Sequence, residues 1–120
     1  MGRVDAVVRA LVRGPLHVLL PGVHELTYVG PVSGRVVRLP VQAVAHDGGL
    51  VVLVGDADRK QWWRAFRTPH PVTARRGSTN VAATGAVLSA ADPRRAPAAA
   101  AYAARTRVPV PVDAVLVLVA

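Results

Sequence analysis

Ser33, Gly34, Arg35 and Arg38 sit together at one bend of the chain, and Arg59 and Lys60 follow another. Groups of these types hold the oxygens of phosphates and carboxylates. A guanidinium meets such an oxyanion with a two-pronged fork, and a backbone amide at a helix start or a glycine-containing bend approaches it closely. Each arginine alone reads as a solvated surface charge; clustering around two turns is what favours an anion cradle. The second cluster is expected at the start of a short helix. Asp58 is placed to be its N-cap, and Gln61, three residues on, completes a capping box. That helix would carry Trp62, Trp63 and Phe66 on one side, ringed by Arg59, Lys60, Arg64 and Arg67. Neighbouring helical residues point about 100° apart, so one tryptophan is expected in the core and the other is available to face a pocket.

Catalysis by side chains alone finds little support. The chain has seven carboxylates, and Asp47, Asp56, Asp58 and Asp92 all have turn or cap roles. Asp56 and Asp58 could flank a cation, but capping is the better use of them. Ser33 and Ser78 lie beside glycines without the G-x-S-x-G setting of a nucleophile, so a hydrolase is the weaker enzyme reading. Cysteine is absent, which excludes disulfides, thiolate metal sites and cysteine nucleophiles. His17, His24, His46 and His70 have no metal-ligand spacing, and no metal site is expected. Binding groups without a catalytic dyad suit chemistry carried by a bound cofactor.

These residues need elements to position them. Gly30 and Gly34 bracket one turn and Asp47-Gly48-Gly49 form another, with a long strand from Arg35 to Ala45 between them. Pro40 cannot donate to a central ladder, so it marks an edge or a bulge where backbone groups stand free. His24 to Val29 alternates as a first strand, after an apolar connector from Leu16 to Pro21, and Val51 to Val54 reads as a buried strand. Thr68-Pro69-His70-Pro71 stops the tryptophan helix. Val72 to Arg76 and Thr79 to Ser89 are strands joined by a hairpin turn of the Gly-X kind at Gly77-Ser78. Gly85, inside the return strand, signals a bulge or a barrel corner. Asp92-Pro93 opens a helical region whose strong part is the alanine-rich run to Arg105, with Pro97 marking where the regular helix begins. Val112 to Val119 reads as a strand buried on both faces, either closing a barrel or lying at a dimer interface.

Val4, Val7, Val8, Leu11 and Val12 fall at helical spacing with Arg3, Arg9 and Arg13 interleaved, giving an amphipathic helix over residues 1–14 that Gly14-Pro15 ends. It packs on the flank of the fold or rests on an anionic membrane surface. About six strands, two or three helices and three hairpin-like turns favour a small antiparallel barrel, closed or half closed, over a βαβ array.

A chain of 120 residues makes one domain, and 52% hydrophobic residues exclude disorder. The formal charge of +8 is compatible with nucleic acid, an anionic membrane or an anionic cofactor. Only 4% of residues are aromatic and the arginines are spread along the chain, which argues against nucleic acid. Arginines interrupt the first segment, and the run from Val108 to Ala120 is too short and proline-broken to cross a bilayer as a helix. A cytoplasmic protein is expected, membrane-associated if residues 1–14 bind a surface.

The order S-G-R, P-V, D-G, V-G and R-K-x-W-W-R over residues 24–76 resembles the deazaflavin-dependent nitroreductase family. These are small flavin- and deazaflavin-using oxidoreductases related to the pyridoxamine 5′-phosphate oxidase barrels. The resemblance implies a mainly β fold with flanking helices, a six-stranded antiparallel split β-barrel of the FMN-binding kind, formed by residues 24–120. It implies a homodimer, and a deazaflavin coenzyme of the F-420 type or FMN. The activity implied is hydride transfer to a small electron-poor acceptor such as a nitro compound or quinone. Ser33, Gly34, Arg35, Pro40, Val41, Gln42, Gly55, Lys60 and Trp63 match positions lining the coenzyme site, and Arg38 and Arg59 join them as holders of its anionic tail. Pro31, Val32 and Ala65 depart from the pattern, the first two where relatives carry basic residues. That departure sets up the alternative, a non-catalytic barrel whose cofactor site has degenerated and which binds a ligand or partner.

Overall fold

The computed structural model describes residues 22–120. The expected helix over residues 1–14 and the connector Leu16–Pro21 lie outside the described residues. Six strands follow: β1 Val23–Val29, β2 Val36–His46, β3 Gly49–Val54, β4 His70–Arg76, β5 Thr79–Val87 and β6 Val115–Val119. One α-helix, α1, spans Arg95–Thr106. The strands close into an antiparallel barrel in the hydrogen-bonded order β1-β2-β3-β6-β5-β4. Of the two readings of the last apolar run, β6 takes the first: it closes the sheet between β3 and β5. The strand is shorter than expected, because Val112 is 92% exposed in the loop before it.

The described residues form two compact units, one of residues 22–42 with Pro71–Ala83, the other of Ala43–His70 with Thr84–Ala120. In the first, β1 pairs with β2 on one side and β4 on the other. Leu26, Tyr28, Val41, Val72 and Ala74 are its buried apolar residues. Strand alternation then turns Glu25 and Thr27 to the opposite face of β1. Gly77 has φ 60 and turns β4 into β5 as a two-residue Gly-X loop, the expected hairpin.

One core cluster of the second unit is Val44, Val51, Leu88, Ala98, Tyr102 and Leu116. α1 contributes Ala98 and Tyr102 to it, four residues apart on one face. Pro97 does not mark the helix start. The helix begins two residues earlier, which leaves Pro97 in the first turn, where no N–H is needed. Before it, the Asp92 carboxylate accepts the Arg94 amide at 2.9 Å and the Arg94 guanidinium at 2.7 and 3.0 Å. Those bonds hold the Asp92 pKa down at about 2.

Arg95, one residue further, ties the chain around β6 together. Its guanidinium donates to the carbonyls of Leu88 at 3.2 Å, Val112 at 3.1 Å and Ala114 at 2.6 Å. Only a planar fork of donors reaches carbonyls from two segments at once. Arg95→Lys keeps the charge but loses the fork, and is expected to cost about 1 kcal/mol in urea unfolding. An unchanged midpoint would show that the loop holds itself.

His24 gives the first unit a pH dependence. Burial, the largest cause, lowers its pKa below 6.5; Arg76 adds to the fall, and a contact with the Gly22 carbonyl at 3.2 Å opposes it. The unfolded chain therefore takes up the proton first. Stability is full above pH 6.5 and declines as pH falls through that value toward the lowered folded pKa. The urea midpoint should drop over that interval, and His24→Gln should flatten the drop.

Candidate functional site

The first cluster is built by the β1–β2 turn. Gly30 N–H donates to Arg35 O at 2.8 Å and Gly34 N–H to Gly30 O at 3.0 Å. Ser33 Oγ accepts the Arg35 N–H at 3.2 Å. Gly34 sits at φ 71, a conformation that favours glycine. The turn thus consumes the amides of Gly34 and Arg35. What it leaves outward is the Ser33 hydroxyl proton and the guanidinium groups of Arg35 and Arg38, both exposed. Pro31 and Val32 are also exposed, Val32 by 99%.

Downstream, Pro40 faces Glu25 in the β1 ladder, whereas the β3 ladder covers only Ala43–His46. The segment Val36–Gln42 therefore pairs along one edge, as Pro40 requires. Val41 is buried and Gln42 exposed. Arg38, Pro40 and Gln42 alternate onto one face, so this edge offers a guanidinium, a carbonyl without a competing N–H, and an amide.

That face holds a cavity of about 540 Å³, lined by Glu25, Thr27, Arg38, Thr73, Arg75 and Asn80. The strand register explains the grouping: Arg38, Thr27 and Thr73 form one row across β2, β1 and β4, and Pro40, Glu25 and Arg75 the next. Sequence reading missed Glu25, Thr73, Arg75 and Asn80. Their signal was polar alternation on β1 and β4, which also describes any solvated sheet face.

The second cluster differs from expectation. No capped helix runs from Asp58. The chain instead makes two 3-10 turns, Ala57–Arg59 and Trp62–Phe66, with Lys60 extended between them. Asp56, not Asp58, precedes the first turn, in a left-handed conformation at φ 51, and neither turn has a side-chain cap. The amides of Arg59 and Lys60 donate to Asp56 O and Ala57 O. Arg59 and Lys60 thus end a turn, and their amides are not those of a helix N-terminus. Their side chains remain, Arg59 exposed and Lys60 half-buried.

Both tryptophans are half-buried, in separate settings. Trp62 meets the buried Phe66 edge to face at 6.2 Å. Trp63 donates Nε1–H to Ala57 O at 2.9 Å, pinning the second turn to the first, and the Arg67 and Arg64 guanidiniums lie 5.1 and 5.8 Å from its ring. Ala65 leaves no polar group at the position between them.

Gly55 opens this segment. A Cβ built on it would meet nothing within 4 Å. It borders a second cavity of about 420 Å³, together with Val54, Asp56, Asp58, Pro109 and Asp113. Carboxylates surround this opening, so it suits a neutral part of a ligand better than an anionic tail. Among the described residues no helix is long and apolar enough to cross a membrane.

No family model matches the sequence, and no curated protein is significantly similar to it. Solved structures share the fold, among them two that cover most of this chain. One, described as a domain-swapped dimer, is 18% identical, with 96% of this chain and 94% of that chain covered at a TM-score of 0.60. The other is an F420-H2 dependent reductase, 19% identical, with 83% of this chain and 95% of that chain covered at a TM-score of 0.52. At such identity the likeness establishes the split-barrel fold.

Proposed function

We propose that this protein is a deazaflavin-dependent oxidoreductase that reduces a small electron-poor acceptor such as a nitro compound or quinone. The observation that carries the reading is the one-sided, basic edge of β2, with Arg35 and Arg38 exposed beside Pro40 and Gln42 in a split barrel. When bound, the coenzyme supplies hydride-transfer chemistry. Arg35 and Arg38 bind its acidic tail by charge-assisted hydrogen bonds, and the Ser33 hydroxyl adds a neutral donor. Pro40, Val41 and Gln42 orient the ring through backbone carbonyls and one amide. In the second unit Gly55 has open space beside it and Trp63 is held by its bond to Ala57, and the resemblance assigns both to the ring. Arg59 and Lys60 contribute charge by side chain only. The fold shared with an F420-H2 dependent reductase supports the deazaflavin over FMN, and the neighbour described as a domain-swapped dimer supports a homodimer.

Fluorescence titration of the purified chain with a deazaflavin coenzyme and with FMN tests the reading. The deazaflavin is expected to bind, and Gly55→Leu, whose side chain enters open space, to weaken it at least about tenfold with unchanged unfolding. Binding of neither coenzyme removes the proposal.

A second reading, a barrel that binds a ligand without catalysis, is favoured by one observation. The exposed turn positions Pro31 and Val32 carry no charge, and the turn's Gly34 and Arg35 amides are spent internally. Tight coenzyme binding without turnover of any reductant and acceptor pair would select it.

A further inference from the structure

The sheet of the first unit runs β2-β1-β4-β5, which gives it two outer edges. The edge at Val36–Gln42 of β2 carries the features that discourage strand pairing, a proline without an N–H and an exposed arginine. The outer edge of β5 carries neither. Thr84 N–H donates to Ala120 O at 2.8 Å, and its carbonyl accepts Ala120 N–H at 3.0 Å, so the Thr84 backbone groups point away from β4. Alternation then aims the N–H and C=O groups of Ala82 and Asn80 to the same side. Among the described residues no strand pairs with them there: the β5–β6 ladder covers Gly85–Val87, and the Thr84–Ala120 pair ends it.

The side chains lead to the same edge. The two-residue turn at Gly77-Ser78 sets Arg76 opposite Thr79, and therefore Ala74 opposite Val81. Leu39, Leu26 and Ala74 form one row across β2, β1 and β4, and Val81 ends it. Leu26 and Ala74 are buried, whereas Val81 is 55% exposed. An apolar row thus stops at an open valine on an unpaired edge. The chain carries no charged residue from Gly77 to Ala91, so this is where two copies of a protein of charge +8 repel each other least.

We propose that β5 pairs with β5 of a second copy, antiparallel across a twofold axis at Val81. Asn80 then faces Ala82 of the partner subunit and Ala82 faces the partner's Asn80, each pair exchanging both N–H···O bonds. Val81 meets its own symmetry mate with Cα atoms about 4.5 Å apart, and the apolar row continues from one copy into the next. The β4 arginines of the two copies are three strand spacings apart, about 14 Å, beyond a screening length of about 8 Å. A neutral segment that satisfies its own donors, acceptors and apolar contact under twofold symmetry suits a second copy better than a foreign strand. The inference names the surface of the homodimer in the functional reading and rests on that dimer; it does not need the coenzyme.

Sedimentation of the full chain tests it. Ala82→Pro removes an N–H that points out of the sheet and leaves the bonds to β4 in place. It is expected to weaken the dimer at least about tenfold, the bond being lost twice by symmetry, with thermal unfolding of the dilute protein as the check on folding. The chain has no cysteine, so Val81→Cys supplies a lone thiol within disulfide reach of its mate. Air oxidation should convert this variant to a covalent dimer under conditions where Val112→Cys, 92% exposed in the loop before β6, stays monomeric. A wild type that is monomeric at every concentration overturns the homodimer and this surface together, and leaves the edge to an extended segment of another protein. A dimer indifferent to Ala82→Pro, or a Val81→Cys variant that cross-links no faster than Val112→Cys, overturns the surface alone. Deazaflavin titration of the same samples keeps the readings apart: failure to bind removes the coenzyme and leaves the β5 surface standing.

Discussion

Gly85→Ala is expected to destabilise the protein by about 3 kcal/mol, at the upper end of what one added methyl costs in a packed core. A Cβ on this residue would lie 2.5 Å from Phe66 Cδ1 and 2.7 Å from Cε1, inside any allowed contact. Phe66 has no room to yield. It is fully buried, with Trp62 edge-on at 6.2 Å and His70 at 6.1 Å. Nor does the strand shift freely, since Gly85 pairs with Val119 of the closing strand and Thr84 exchanges bonds of 2.8 and 3.0 Å with Ala120. Urea unfolding measures the loss. Combining Gly85→Ala with Phe66→Leu should restore part of it, because the ring that clashes is gone, even though Phe66→Leu alone is destabilising. Additive losses in the double variant would mean that the glycine is required for some other reason.

Gly85 also shows what the sequence carries and what it hides. A glycine in a strand pattern announces an anomaly, and a bulge or corner is the usual cause. Here the strand stays in register, and the anomaly is a ring from the segment Trp62–Phe66 filling the place of the missing side chain. A contact across that separation leaves no local signature. Strands and their turns were legible because alternation and turn chemistry are local properties. Asp47 at φ 51 and Gly48 at φ 79 form the tight β2–β3 turn that Asp-Gly predicts.

The segment Asp56–Arg67 was misread for the opposite reason. Its capping pattern is sound locally, yet tertiary contacts overrule it. The Trp63 bond to Ala57 folds the chain back within six residues, and a regular α-helix starting at Asp58 would hold those groups apart. Two short 3-10 turns accommodate the bond. The cost to the functional reading is specific: helix-end amides drop out as anion donors near Arg59 and Lys60. The burden of holding an acidic tail passes to side chains on β2, and a charge-based site of this kind makes a sharper prediction than a cradle of amides.

Replacing Arg35 and Arg38 together by glutamine is expected to lower deazaflavin affinity by about 100-fold, near 2.7 kcal/mol. Each guanidinium makes charge-assisted bonds that contribute about 1.5–3 kcal/mol when well placed, and two on one ligand add less than their sum. Both residues are exposed, so the folded chain should unfold at an unchanged urea concentration. Salt supplies an independent readout. Wild-type affinity should fall as ionic strength rises, and the double variant should lose that dependence, because the screened charges are no longer there. Affinity that survives both the substitutions and high salt places the coenzyme elsewhere. The converse change is as informative: Val32→Lys adds an ammonium to the fully exposed turn position that lacks one, without disturbing a packed group. In a working enzyme this substitution should tighten coenzyme binding by roughly threefold, the worth of one exposed charge pair, and leave turnover intact. In a barrel that has lost its chemistry it should tighten binding equally and turnover should stay absent.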